Sequence, residues 1–160
     1  MPRLSPERSA ELSRLLGRAL EAVYARTPDE PLETLVDAYR EVESRFRPEL
    51  RDEPELELEA RRRVAELTLY SAIEKDAPFE TAARFYEAVA DLGFDPLERR
   101  ATIGIIYARY CYDVDRPGAA AELLVPLRQT LREALAAEES PLYRDLLGTV
   151  ESLLVNSGAE

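Results

Sequence analysis

A chain of 160 residues, 46% apolar and 33% charged, is long enough for one domain with its own core and too apolar for a disordered segment. Its net charge of −11 argues against binding nucleic acid or an anionic membrane, because both need a basic surface; a protein or peptide is the expected partner. No histidine is present, which removes Ser-His and Cys-His nucleophilic sites and the usual zinc ligand sets, and no apolar run approaches the roughly 20 residues of a membrane helix.

In chain order, the opening stretch MPRLSPERSAELS has no apolar h-region, so no secretory signal is expected. The period is then helical throughout. Segment 6–26 places Leu12, Leu16, Ala19, Leu20 and Val23 on one stripe, and segment 31–46 does so with Leu32, Leu35, Val36, Tyr39, Val42 and Phe46. Segment 54–75 is apolar on two sides, through Leu58, Ala65, Leu69 and Ala72 and through Val64 and Leu67. Segment 78–91 carries Phe79, Ala82, Ala83, Tyr86, Val89 and Ala90 before Gly93, a C-terminal stop. Segment 96–113 contains ATIGIIYARYC, apolar almost all round, and predicts the most buried helix. Segment 117–138 offers Ala120, Leu124, Leu127, Leu131 and Leu135, with a kink expected near Val125 because Pro126 lacks an N–H. Segment 141–155 closes the set with Tyr143, Leu146, Leu147, Val150 and Leu154.

Seven starts share one punctuation: Ser5-Pro6, Asp29-Glu30-Pro31, Asp52-Glu53-Pro54, Asp76-Ala77-Pro78, Asp95-Pro96, Asp115-Arg116-Pro117 and Ser140-Pro141. Asp or Ser is expected to accept hydrogen bonds from the first turn, and proline suits the first helical position. The stretch Glu49–Glu59 reads as the longest connection plus a solvated first turn. No linker divides the chain, so a single domain over 1–160 is expected. The first and last helices are one-sided and the middle ones are not, which favours an all-α stack of helical hairpins over a closed bundle.

Segments 64–89 and 100–125 share an apolar helix, an Asp-x-Pro turn and an alanine-led second helix; Pro78 and Pro117 lie 39 residues apart. Residues 14–42 are a weaker copy. Ile103, Gly104 and Tyr107 carry a large–small–aromatic spacing, with Leu16, Gly17 and Leu20 a looser version, while Ala82 with Tyr86 and Ala120 with Leu124 carry the second-helix spacing. On these residues the chain resembles the tetratricopeptide-repeat family. The resemblance implies seven antiparallel helices, stacked as three hairpins plus a C-terminal capping helix, in a right-handed superhelix that binds a peptide in its concave face. The spacing of 36–39 departs from that family's 34, and Thr68 and Ser71 stand where it has a small and an aromatic residue.

Candidate chemistry is sparse. Cys111, the only cysteine, lies in the most apolar helix and reads as a small buried hydrophobe; it fits a reducing, cytoplasmic setting. Glu30, Glu33 and Asp37 share one helical face, as a magnesium site would need, but no second matching cluster follows. No catalytic, cofactor or metal residues are therefore expected, and no enzymatic activity. Arg61, Arg62 and Arg63, with Arg99, Arg100 and Arg109, could present a positive ladder to an acidic peptide, the alternative being surface pairing with Glu57, Glu59 and Glu66. Tyr112 suits a recognition surface, or equally a seam between helices. The expected partner-binding set is Arg62, Leu69, Arg99, Ile105, Arg109 and Tyr112. The expected function is a non-catalytic module holding a peptide or helical segment; a small acidic cytoplasmic chaperone and an all-helical homo-oligomer are the alternatives.

Overall fold

The computed structural model describes residues 4–157; the ends of the 1–160 span, and the first three residues of the leader reading, lie outside it. Among the described residues there are seven α-helices and no strand: α1 (Pro6–Tyr24), α2 (Leu32–Leu50), α3 (Pro54–Glu74), α4 (Phe79–Asp91), α5 (Leu97–Asp113), α6 (Pro117–Ala137) and α7 (Pro141–Ser157). None is long and apolar enough to cross a membrane. The chain forms two compact units, Met1–Gly93 and Phe94–Glu160.

In the first unit α3 packs against α1, α2 and α4, and α1 against α2. The stripe predicted for α1 becomes core: Leu12, Leu16, Leu20 and Val23 are buried against Leu35, Tyr39 and Val42 of α2. What α3 buries is small, namely Ala60, Thr68, Ser71 and Ala72, with Leu69 the one large exception. The reason is Tyr39, whose whole ring lies inside the unit and whose hydroxyl sits 2.8 Å from Ser71 Oγ. Thr27 Oγ1 donates to the Tyr24 carbonyl (2.6 Å), so it must accept from Ser71 Oγ at 3.1 Å. Ser71 has then used its proton, and Tyr39 must be the donor to Ser71. The serine standing where the repeat pattern has an aromatic is thus the seat of an aromatic arriving from α2.

The second unit is built on α5, which packs against α6 and α7. As its composition predicts, α5 buries more residues than any other helix, eight in all, including Ile103, Tyr107 and Tyr110. Gly104 lets α6 approach: a Cβ there would lie 3.4 Å from Leu127 Cδ2 and 3.6 Å from Leu123 Cδ1. From α6 come Ala120, Leu124, Leu127 and Leu131. Among the described residues of α7, Val150 and Leu154 are fully buried, while Tyr143, Leu146 and Leu147 of its expected face are half-buried.

Two expectations need correcting. First, α2 does not stop at Phe46 but runs through Pro48 to Leu50, leaving only residues 51–53 before α3. Proline near a helix end forfeits a single hydrogen bond, and buried Leu50 holds the last turn down. Second, the aspartates are not the caps. Ser5 Oγ accepts from Arg8 N (3.1 Å) and Ser140 Oγ from Tyr143 N (3.2 Å), but the N-cap residues Pro31, Glu53, Pro78, Pro96 and Arg116 make no side-chain cap.

Asp76 and Asp115 serve the preceding helix instead. Each takes the left-handed conformation, at φ 52° and 61°. The next N–H then reaches back five residues, from Ala77 to the Ala72 carbonyl (3.0 Å) and from Arg116 to the Cys111 carbonyl (2.7 Å). This is the Schellman closure that satisfies the last carbonyls of a helix. It recurs at a spacing of 39 residues, so the internal similarity read from sequence has a structural counterpart in these two turns.

Two outcomes follow for stability, both measurable by urea unfolding. Ser71→Ala should cost about 2 kcal/mol by stranding a buried phenol, Tyr39→Phe about 1 kcal/mol, and the double variant less than their sum. Asp76→Gly and Asp115→Gly should each raise stability by about 0.5–1 kcal/mol, since glycine adopts positive φ without the Cβ clash.

Candidate functional site

The first unit carries an open groove across α2, α3 and α4, enclosing about 230 Å³. Each helix contributes residues three to four apart, the spacing that keeps side chains on one face. From α2 come Val36, Arg40 and Glu43; from α4 and its C-cap come Phe85, Ala88 and Leu92. Between them α3 supplies Arg61, Val64, Ala65 and Thr68. Thr68 Oγ1 donates to the Val64 carbonyl (2.6 Å), so its hydroxyl is spent within the helix. Val36, Val64, Ala65, Phe85 and Leu92 are half-buried, giving an apolar floor that solvent still reaches.

The rim is charged. Arg61 pairs with Glu57 at 2.8 Å, whereas Arg40 and Glu43, one turn apart on α2, have no ion-pair partner among the described residues. One end of the groove is held by Arg62, whose Nε donates to the Leu92 carbonyl at 3.1 Å. That carbonyl lies at the C-cap of α4, where a cation complements the helix dipole. Gly93 follows at φ +91°, where a Cβ would meet Arg62 Nη2 at 2.9 Å. Gly93 thus ends α4 as its place in the sequence suggests, and Arg62 fixes the turn that delivers Ala88 and Leu92.

The sequence-predicted residues fall as follows. Arg62 caps α4, and Leu69, fully buried, lies in the core of the first unit. Arg99, Ile105, Arg109 and Tyr112 all lie on α5 in the second unit. Ile105 is 6% exposed and belongs to the core there. Arg99 is half-buried. Tyr112 is half-buried too, and its hydroxyl is enclosed without a hydrogen-bond partner among the described residues. Arg109 is exposed and lines a wide polar groove with Arg144, Asp145, Thr149, Ser152 and Asn156 of α7. Arg144 is already paired with Glu139 at 2.5 Å.

Sequence reasoning missed the roles of Phe85, Ala88, Arg40 and Glu43. A signal existed for two groove positions. Phe85, left off the expected face of segment 78–91, lies three residues after Ala82 and four before Val89, the buried residues of α4, and Val36, placed on the expected stripe of α2, sits beside rather than on the buried line of Leu35, Tyr39 and Val42. An apolar side chain beside its helix's buried line, as Val36 is, has no core to enter.

Burial pushes the Cys111 thiol up to about 11, only partly opposed by a hydrogen bond from Tyr107. Burial likewise raises Tyr39, against the hydrogen bonds of Ser71 and Thr27. Burial, then a hydrogen bond to the Glu74 carboxylate, raises Tyr24. Glu30 of the candidate magnesium cluster is tied to Arg26 at 2.6 Å, and no group of three His, Cys, Asp or Glu that could hold a metal occurs among the described residues. Set against protein-family models, curated proteins and solved structures, the chain matches none.

A thiol held neutral by burial is a poor nucleophile. Native protein at pH 8 should therefore react with a thiol reagent only through unfolding, at least about a hundredfold more slowly than protein in denaturant. Because the folded thiol binds its proton more tightly than the unfolded one, its contribution to stability is complete below the ordinary thiol value. It is lost as pH rises through about 11.

Proposed function

We propose that this chain is a non-catalytic interaction module that holds a segment of a partner protein. The observation that carries the reading is the solvent-open apolar groove over α2, α3 and α4, with Phe85, Val36, Val64 and Leu92 half-buried and unfilled. At about 230 Å³ it falls below the roughly 300–1,000 Å³ of sites that enclose small molecules, and its openness suits side chains delivered by a larger body. The surplus negative charge disfavours a nucleic-acid partner, and a lone thiol fits a cytoplasmic setting. Hairpins stacked in the tetratricopeptide manner, closed by α7, are the architecture we assign to it; the Schellman turns at Asp76 and Asp115 support two of the three hairpins.

Ala88 tests the groove because it is exposed, so a long charged side chain there obstructs the floor without entering the core. Affinity capture with the wild-type chain, read by mass spectrometry, should retain a dominant partner that Ala88→Arg loses. The melting temperature should stay within about 3 °C of wild type, as for an ordinary surface change. A partner kept equally by both proteins would place recognition on another surface.

A further inference from the structure

From the groove over α2, α3 and α4 we infer that its occupant is an amphipathic α-helix, with an apolar stripe flanked by an acidic residue facing Arg40 and a basic residue facing Glu43. The inference rests on the proposed function above and adds the conformation and charge pattern of the ligand.

The conformation follows from what the groove does not offer. Its walls and floor are the interiors of three helices, whose N–H and C=O groups are paired along their own axes. The exception at the groove end, the Leu92 carbonyl, already receives Arg62 Nε at 3.1 Å. Even the Thr68 hydroxyl is turned to the Val64 carbonyl. An extended peptide laid over Val64, Ala65 and Phe85 would bury its own amides against side chains that cannot bond them, and each buried unpaired amide is costly. A helix arrives with its backbone satisfied and presents only side chains.

Charge complementarity sets the flank. Arg61 is occupied by Glu57, but Arg40 and Glu43 carry opposite charges one turn apart with no ion-pair partner among the described residues. A ligand with charges of the opposite order at helical spacing meets both, whereas the reversed order meets two like-charge contacts. The pair therefore selects one direction of the bound helix along α2.

The test uses the full chain and two displayed libraries of peptides about 15 residues long, a length at which an isolated helix is marginal. One library fixes apolar residues at i, i+3, i+4 and i+7; the other alternates apolar and polar residues. Selected peptides are synthesised, and their affinities measured for wild type, Ala88→Arg, Arg40→Glu and Glu43→Arg. The expected result is enrichment from the helical library alone, with binding abolished by Ala88→Arg and helix formation on binding seen by circular dichroism. Arg40→Glu should weaken binding roughly fivefold, and exchanging the peptide's acidic residue for lysine should restore it. Winners from the alternating library that are lost on Ala88→Arg would overturn the helical occupant and leave the interaction module standing. Helical winners indifferent to both charge reversals would overturn the flanking charges. Peptides insensitive to Ala88→Arg, or no peptide at all, would overturn the groove and the proposed function with it.

Discussion

A tyrosine whose entire ring is inside a helical unit must find an acceptor for its hydroxyl, and helix backbones have few to spare. Tyr39 meets this constraint through Ser71, which passes its own proton to Thr27, which in turn donates to the Tyr24 carbonyl. One line of hydrogen bonds thereby joins the end of α1, the connection that follows it, α2 and α3. Burying these groups is tolerable only because every proton has an acceptor, and that requirement fixes the small size of residue 71. With Ser71, Ala72 and Thr68 small, α3 packs directly against α2, while Val64 and Ala65, half-buried, line the groove. The groove floor is the consequence of where the tyrosine went.

Ends of helices impose the second constraint, since the last carbonyls have no partners along the axis. Three solutions appear here. Asp76 and Asp115 turn left-handed so that the following N–H folds back; Gly93 takes a positive φ with less strain while its own N–H bonds the Ala90 carbonyl; and Arg62 bonds the Leu92 carbonyl from a neighbouring helix. The third is tertiary and couples the position of α4 to α3. Packing thus places the far wall of the groove through a single guanidinium.

Much of this fold was legible because the helical period is strong: all seven segments are helices, with most limits displaced by only one or two residues. The failures are local and physical. Pro48 reads as a terminator, yet a proline in the last turn loses one bond, and Leu50 beyond it has core to enter. Asp before Pro reads as a cap for the next helix, yet aspartate is also among the few residues that tolerate positive φ, and the sequence does not distinguish the two uses. The site was less legible. Leu69 and Ile105 are apolar residues on predicted inner faces, and nothing in a helical period separates core lining from groove lining. Phe85 could have been found from its helical spacing to Ala82 and Val89, but which helix faces it is a tertiary fact.

The arginine run shows why charge alone is a poor guide to a site. Successive residues of an α-helix point about 100° apart, so three in a row cannot form a one-sided ladder. Their fates differ accordingly: Arg61 pairs with Glu57 on the groove rim, Arg62 caps α4, and the guanidinium of Arg63 lies over Gly17 of α1. Gly17, which the repeat pattern would make a site of close helix contact, is therefore small to admit an arginine. A cation consumed by a helix end or a neighbouring carboxylate has little left for a ligand. Arg40 attracts no notice in the sequence, being isolated on an exposed face, yet it stands over an apolar floor with no carboxylate paired to it among the described residues. Recognition is better sought where the fold has left a charge uncommitted beside apolar surface than where charges are merely dense.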